Sequence, residues 1–186
     1  MATESRQKWI ELLADWMSSM GKLHQMHFTQ WAELGLPDIR DLKIREPDPV
    51  GIAKLQERWN DALDPELIAF LGVTDGWPLW LGSLCVSALP AGKIALLREA
   101  YPDAFDIAMA EAPSARKGTS NVVDLSRMEL NSALVVSAPD ARELVLSLAS
   151  HETCFYYFDG MRVFRNFFEY MSYRKTAVWL STADML

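Results

Sequence analysis

The sequence predicts an α+β domain with N-terminal helices, a mainly antiparallel central sheet, and a C-terminal helix packed on the sheet. Three observations lead to this class. Apolar residues early in the chain recur at spacings of three and four, the runs after Ala133 are short and β-rich, and helical spacing returns after Asn166. The chain has 186 residues, of which 50% are hydrophobic, so it can bury one substantial core.

The N-terminal apolar residues predict one helix or two. They share one helical face and are Trp9, Leu12, Leu13, Trp16, Met20 and Leu23. The apolar signal continues as far as Leu36-Pro37, where a helix should stop. The tryptophan stripe formed by Trp9, Trp16 and Trp31 either packs on the main body or forms a face for a partner or a dimer.

Residues 38–50 are typical of a connector. They contain Pro47 and Pro49, alternating charges and little apolar periodicity. We therefore divide the chain into an N-terminal helical extension, residues 1–45, and one compact α+β unit, residues 46–186.

Two Asp-Pro pairs predict the next two helices. An Asp side chain caps free backbone amides, and proline at the first helical position loses no needed donor. Helices should therefore begin at Asp48-Pro49 and at Asp64-Pro65. Gly72 allows the second of them to end.

Residues 74–88 predict a turn and a strand. Thr74-Asp75-Gly76 offers a glycine suited to positive φ. The following residues, 77–88, are rich in large apolar groups, so we predict a single strand with Gly82 as a candidate bulge.

The middle of the chain predicts two helical segments and a loop. Residues 94–109 have helical spacing that Pro102 interrupts. Residues 112–121 contain no apolar anchor between Ala112 and Asn121, so we expect a mobile surface loop there.

The C-terminal part predicts antiparallel strands closed by a helix. Residues 133–138, 143–148 and 154–158 are short β-rich runs. Asp159-Gly160 then joins the last run to residues 161–164 and is the strongest hairpin signal in the chain. Asn166 can cap a closing helix that lies on the sheet.

The charge balance bears on the class of partner. Eighteen basic and 25 acidic residues give a formal net charge of −7. This charge opposes binding to nucleic acid and favours encounter with a basic protein. The sequence also lacks a signal-peptide core and an uncharged apolar run of about 18 residues, so we expect a cytoplasmic protein with no membrane span.

Two blocks of sequence carry a family resemblance. The first contains LDPELIAFL at residues 63–71 and VTDGW at residues 73–77, after a helix start at Ile52 to Leu55. The second contains ALVVS at residues 133–137, the hairpin, and VFRNFFEYM at residues 163–171. In this order they resemble the SUKH superfamily of bacterial immunity proteins and fungal cell-wall regulators. The chain departs from the family where Asp64 separates a Leu-Pro pair and where about the first 45 residues have no counterpart in a minimal family domain.

The resemblance implies a binding protein rather than an enzyme. Such a domain binds and neutralises a toxin delivered by a neighbouring cell, often a nuclease or deaminase, by stoichiometric occlusion of its active site. It implies no cofactor and no metal. The alternative is a cytoplasmic interaction or regulatory module without a toxin partner, and a small enzyme built on folded carboxylates is a third possibility.

Two acidic stretches and one tryptophan are the candidate contacts with a basic toxin surface. Neither stretch contains an intervening Lys or Arg. The candidates are Asp61, Glu66, Asp75, Trp80, Glu99, Asp103, Asp106 and Glu111. These carboxylates can instead cap helices, as Asp64 can, or form a solvated face. Trp80 either anchors an interface or is buried, whereas we expect Trp77 in the core.

No motif predicts a catalytic or metal site. GxSxG, GxxxxGK[ST], HExxH and CxxC are all absent from the sequence. His24 and His27 share a helix face without two further ligands, and His151 lies near Cys154 without an activating motif. We expect Cys85 and Cys154 to be buried thiols.

Overall fold

The computed structural model describes residues 2–34, 36, 38–81, 84–118, 123–138, 144–157 and 160–186. Within these ranges the helices are α1 (Ala2–Met26), α2 (Phe28–Glu33), α3 (Pro49–Trp59), α4 (Pro65–Leu71), α5 (Leu97–Ala100), α6 (Pro102–Glu111), α7 (Arg127–Ser132) and α8 (Phe167–Met185). The strands are β1 (Trp77–Leu81), β2 (Leu84–Ala88), β3 (Ala95–Leu96), β4 (Lys117–Gly118), β5 (Val123–Asp124), β6 (Leu134–Val135), β7 (Ser137–Ala138), β8 (Leu144–Ser147), β9 (Thr153–Tyr157) and β10 (Gly160–Phe164).

The strands form two antiparallel sheets. One has the order β1-β2-β7 and the other the order β3-β6-β8-β9-β10-β5-β4. Each described strand pair runs antiparallel. N-terminal helices and the C-terminal helix α8 complete the fold, which confirms the predicted α+β class. None of the helices in the described ranges has the length and apolar character needed to cross a membrane.

Helix α1 contributes its apolar face to the main core. Trp9 and Trp16 are fully buried, and the Trp9 ring lies 5.1 Å from Phe70 of α4 and 5.9 Å from Phe167 of α8. The Trp16 ring lies 5.9 Å from that of Trp77 in β1. The tryptophan stripe therefore packs on the main body, and residues 1–45 supply part of the core of residues 46–186.

The predicted helix caps are confirmed. Asp48 accepts a hydrogen bond from the amide of Val50 at 3.1 Å, and Asp64 accepts one from Glu66 at 2.9 Å. Asn166 caps α8. Each cap supplies an acceptor for an amide that the first helical turn leaves without an intrahelical partner.

Residues 77–88 form a hairpin, so the prediction of a single strand is wrong. β1 and β2 pair with Trp77 opposite Ala88, and the turn, including Gly82, lies outside the described residues. Both arms are rich in apolar residues, so composition alone did not reveal the reversal. The predicted turn at Gly76 is confirmed, since its φ is +84° and an added Cβ would lie 2.8 Å from the carbonyl oxygen of Ala88.

The loop predicted at residues 112–121 is confirmed as a loop for residues 112–116, which form no helix or strand, and is wrong for residues 117–118. Lys117 and Gly118 form β4 and pair with β5, and Arg116 makes ion pairs with two carboxylates. A charged side chain thus anchors a segment that has no apolar anchor. Residues 119–121 lie outside the described ranges.

The hairpin predicted in the C-terminal part is confirmed. β9 and β10 pair antiparallel, with Gly160 opposite Tyr157 and Phe164 opposite Thr153. Asp159 lies outside the described residues. Tyr170 of α8 packs against Phe155 and Phe164 of this hairpin, so the closing helix lies on the sheet as predicted.

Candidate functional site

Helix α6 presents an acidic face to solvent. Pro102 begins the helix, and Phe105, Ala108 and Met109 turn toward the second core cluster, which contains Leu97 and Leu130. The opposite side carries exposed residues, and we name it the α6 acidic face: Asp103, Asp106, Ile107 and Glu111. The helical period therefore places three of the predicted contact residues on one accessible surface.

The carboxylates of the α6 acidic face are available to a partner. Across the part of the chain that the structure describes, Asp103, Asp106 and Glu111 make no ion pair. Ile107 between them is 65% exposed, and Met128 on the neighbouring helix α7 is 77% exposed. These exposed apolar side chains lie beside carboxylates. A partner that binds here can pair with the carboxylates and also bury apolar surface, which stabilises the complex.

The other predicted contact residues are used inside the chain or fall outside the description. Glu99 pairs with Arg58 at 2.6 Å, and Asp75 accepts a hydrogen bond from the amide of Ala91 at 3.0 Å. The side chains of Asp61 and Trp80 lie outside the described part. The structure thus brings together Asp103, Asp106 and Glu111, but not all eight candidates.

Glu66 joins α4 to α1. Its carboxylate accepts hydrogen bonds from Ser5 Oγ at 3.0 Å and from Trp9 Nε1 at 3.1 Å, and it also binds the ammonium group of Lys8. The side chain of Glu66 is only 18% exposed. The sequence analysis named Glu66 as a candidate partner contact, but its carboxylate is bonded within the chain.

A surface groove of about 1100 Å³ lies beside this contact, between α1, α3, α4 and the β8–β9 turn. Its apolar lining residues are Leu63, Pro65, Ile68 and Ala69. Its polar lining residues are Glu4, Ser5, Lys8, Gln56, Asn60, Glu66 and His151. We name it the α1–α4 groove. Sequence patterns did not predict it, because its lining residues come from four separate segments.

Arg116 is the centre of a partly buried ion cluster. Its guanidinium lies 2.6 Å from Glu129 of α7 and 2.7 Å from Glu152, which precedes β9. Glu129 also completes a capping box with Ser126 at the start of α7. The Ser-x-x-Glu spacing is the local sequence signal for this helix, and α7 was not predicted from it.

The Arg116 cluster shifts the proton affinities of its members. Hydrogen bonds from Arg116 lower the pKa of Glu152 against the opposing effect of burial. Burial also opposes ionisation of Glu129, but hydrogen bonds from Ser126 and Arg116 outweigh it and lower its pKa. Both carboxylates are therefore held in the charged form.

We expect acid to weaken the Arg116 cluster. A carboxylate whose folded pKa is lowered contributes stability above its unfolded pKa, about 4.5 for Glu, and loses it as pH falls through the folded value. Urea unfolding from pH 6 down to pH 3 should show a loss of stability in the native protein. Arg116→Met should cost about 1 kcal/mol at pH 6 and flatten this pH dependence. An equally steep dependence in Arg116→Met would contradict the assignment.

His24 and Cys154 have local packing roles. His24 makes edge contacts with the rings of Phe28 at 5.4 Å and Trp31 at 5.2 Å. Cys154 is buried in the second core cluster, whereas His151 lines the α1–α4 groove. Among the described residues, no group of three or more His, Cys, Asp or Glu side chains is placed to hold a metal ion. The side chain of Cys85 lies outside the described part.

Cys154 is expected to resist alkylation in the folded protein. Burial raises the pKa of its thiol to about 12, and the thiolate is the reactive form. Incubation with iodoacetamide at pH 8 should leave Cys154 unmodified for hours in buffer and modify it within minutes in 6 M guanidinium, as peptide mass spectrometry would show. Rapid modification in buffer would mean that this part of the sheet opens readily.

No family model, curated protein or solved structure matches this chain. Its function must therefore be inferred from its own surfaces. On the α6 acidic face, three of the predicted contact residues are exposed together and carry the negative charge that a basic partner would recognise.

Proposed function

We propose that this protein binds and neutralises a toxin protein, nuclease- or deaminase-like, in a one-to-one complex that occludes the toxin's active site. The proposal follows the resemblance of residues 50–171 to the SUKH superfamily. One observation carries it: three carboxylates that form no ion pair with any other described residue surround the exposed Ile107 on α6.

Charge on this face favours a basic partner. A toxin that acts on nucleic acid needs a positively charged cleft for the phosphate backbone. Asp103, Asp106 and Glu111 would attract such a cleft, and the net charge of −7 adds long-range attraction. On contact, burial of Ile107 would add an apolar anchor.

The decisive experiment is co-expression with the product of the neighbouring gene. We expect a stable one-to-one complex in a pull-down and restored growth of cells that produce the toxin. Absence of both binding and rescue would contradict the proposal and favour the alternative, a cytoplasmic regulatory module with another partner.

Charge removal on α6 tests which face makes the contact. The triple variant Asp103→Asn, Asp106→Asn, Glu111→Gln should lower the association rate constant about tenfold, because electrostatic steering by these charges is lost. The matched control is Glu33→Gln, Glu46→Gln, Glu57→Gln, which removes the same charge from exposed positions elsewhere. Equal effects from both triples would show that net charge, and not the α6 acidic face, governs binding.

A further inference from the structure

The α1–α4 groove contains both of the non-glycine residues that have positive φ in the described chain. Asn60 has φ 32° and His151 has φ 68°. Asn60 also has ψ −110°, which lies outside the left-handed helical region that asparagine tolerates. Residues from two distant segments thus place unfavourable backbone conformations at the same cavity.

The strain at these positions indicates a role for their side chains. Glycine adopts positive φ without a steric cost, so it would relieve the backbone at both sites. Strained non-glycine residues persist where the surroundings enforce them, and they concentrate at binding sites. Both side chains line the groove, and that of Asn60 makes no hydrogen bond with another described residue.

The groove offers two carboxamides to a peptide backbone. Gln56 lies in the last turn of α3 and Asn60 follows the helix as its C-cap, and both are exposed residues of the groove. A carboxamide can pair with a peptide group, donating to its carbonyl and accepting from its amide. An extended segment has no internal partners for its peptide groups, so it can use both carboxamides.

The remaining walls select the side chains of the occupant. The apolar part of the lining, which includes Leu63 and Ile68, can accept an aliphatic side chain. Glu66 already binds Lys8, whereas the exposed Glu4 has no ion-pair partner among the described residues. The uncompensated charge of the groove is therefore negative, and it favours a lysine or arginine.

We infer that the α1–α4 groove binds an extended peptide segment of a partner protein that carries alternating aliphatic and basic side chains. The groove volume of about 1100 Å³ is large enough for a short segment. The inference is independent of the toxin-binding role proposed for α6.

Fluorescence anisotropy with two labelled peptides tests this inference. One is Ac-Ser-Leu-Lys-Leu-Lys-Leu-Lys-Ser-amide and the other has glutamate in place of each lysine. We expect saturable binding of the basic peptide and at least about tenfold weaker binding of the acidic one, a difference of about 1.4 kcal/mol. Binding of neither peptide would overturn the inference, even if small organic fragments perturbed the groove residues in NMR spectra.

Substitutions in the groove test whether the peptide binds there and whether the backbone of Asn60 is strained. Gln56→Ala should weaken binding of the basic peptide about tenfold, whereas Gln25→Ala, an exposed glutamine on α1, should not change it. Asn60→Gly should weaken binding and raise Tm, because glycine relieves the strained backbone. The α6 triple variant should bind the peptide normally. Peptide affinity that is insensitive to Gln56→Ala and Asn60→Gly, or that falls in the α6 triple variant instead, would overturn the inference.

Discussion

Replacing Trp9 by alanine is expected to lower the free energy of unfolding by about 3 to 5 kcal/mol. Trp9 is fully buried in α1, and its ring contacts Phe70, Phe167 and Phe168. The substitution opens a cavity where α1, α4 and α8 meet. It also leaves Glu66 without the hydrogen bond from Trp9 Nε1.

Urea unfolding followed by circular dichroism measures this loss. Trp179→Ala is the matched control, since Trp179 lies on α8 and is 41% exposed. It should cost less than about 1 kcal/mol, as is usual for substitutions at the surface. Equal effects of the two substitutions would mean that α1 does not share the core of the main body. A large effect of Trp9→Ala alone would show that residues 1–45 are part of one cooperative unit.

Replacing Asp64 by alanine is expected to cost about 2 to 4 kcal/mol. Its side chain accepts hydrogen bonds from two amides, Glu66 at 2.9 Å in α4 and Phe167 at 2.6 Å in α8. Loss of a helix cap costs about 1 kcal/mol, and a buried amide left without an acceptor adds about 1 to 3 kcal/mol. The residue is 1% exposed, so both amides lie away from bulk water in the native protein.

Asp48 provides the matched control for Asp64. It precedes a proline in the same way and caps α3, but its one hydrogen bond, to the amide of Val50, is exposed. Asp48→Ala should therefore cost only about 1 kcal/mol. Asp64→Asn should fall between the two, because its single oxygen can serve one of the two amides. A cost for Asp64→Ala no larger than that for Asp48→Ala would show that the contact with α8 contributes nothing.

Local signals in the sequence were sufficient for several element boundaries. The Asp-Pro pairs, the cap at Asn166 and the turn at Gly76 depend on atoms within a few residues, so the same chemistry operates wherever the segment lies. The hairpin β9–β10 was predicted for the same reason. The reversal between β1 and β2 was missed, since both arms are rich in apolar residues.

The candidate surfaces were less predictable than the elements. The sequence identified Asp103, Asp106 and Glu111 as acidic, and helical periodicity placed them together on α6. It did not distinguish them from Glu66, whose partners Ser5, Lys8 and Trp9 lie 57 to 61 residues away. Spacing along a chain carries little information about which distant side chain will meet a given carboxylate.

By itself the sequence determined the α+β class, the starts of the capped helices, the C-terminal hairpin and the net negative charge, because each follows from composition or from neighbouring residues. Only the tertiary structure decided which of the described carboxylates form ion pairs, how α1 joins the core, how Arg116 anchors its segment, and that Asn60 and His151 meet at one groove. These features depend on packing between segments that are remote in sequence, where burial and competing partners set the outcome.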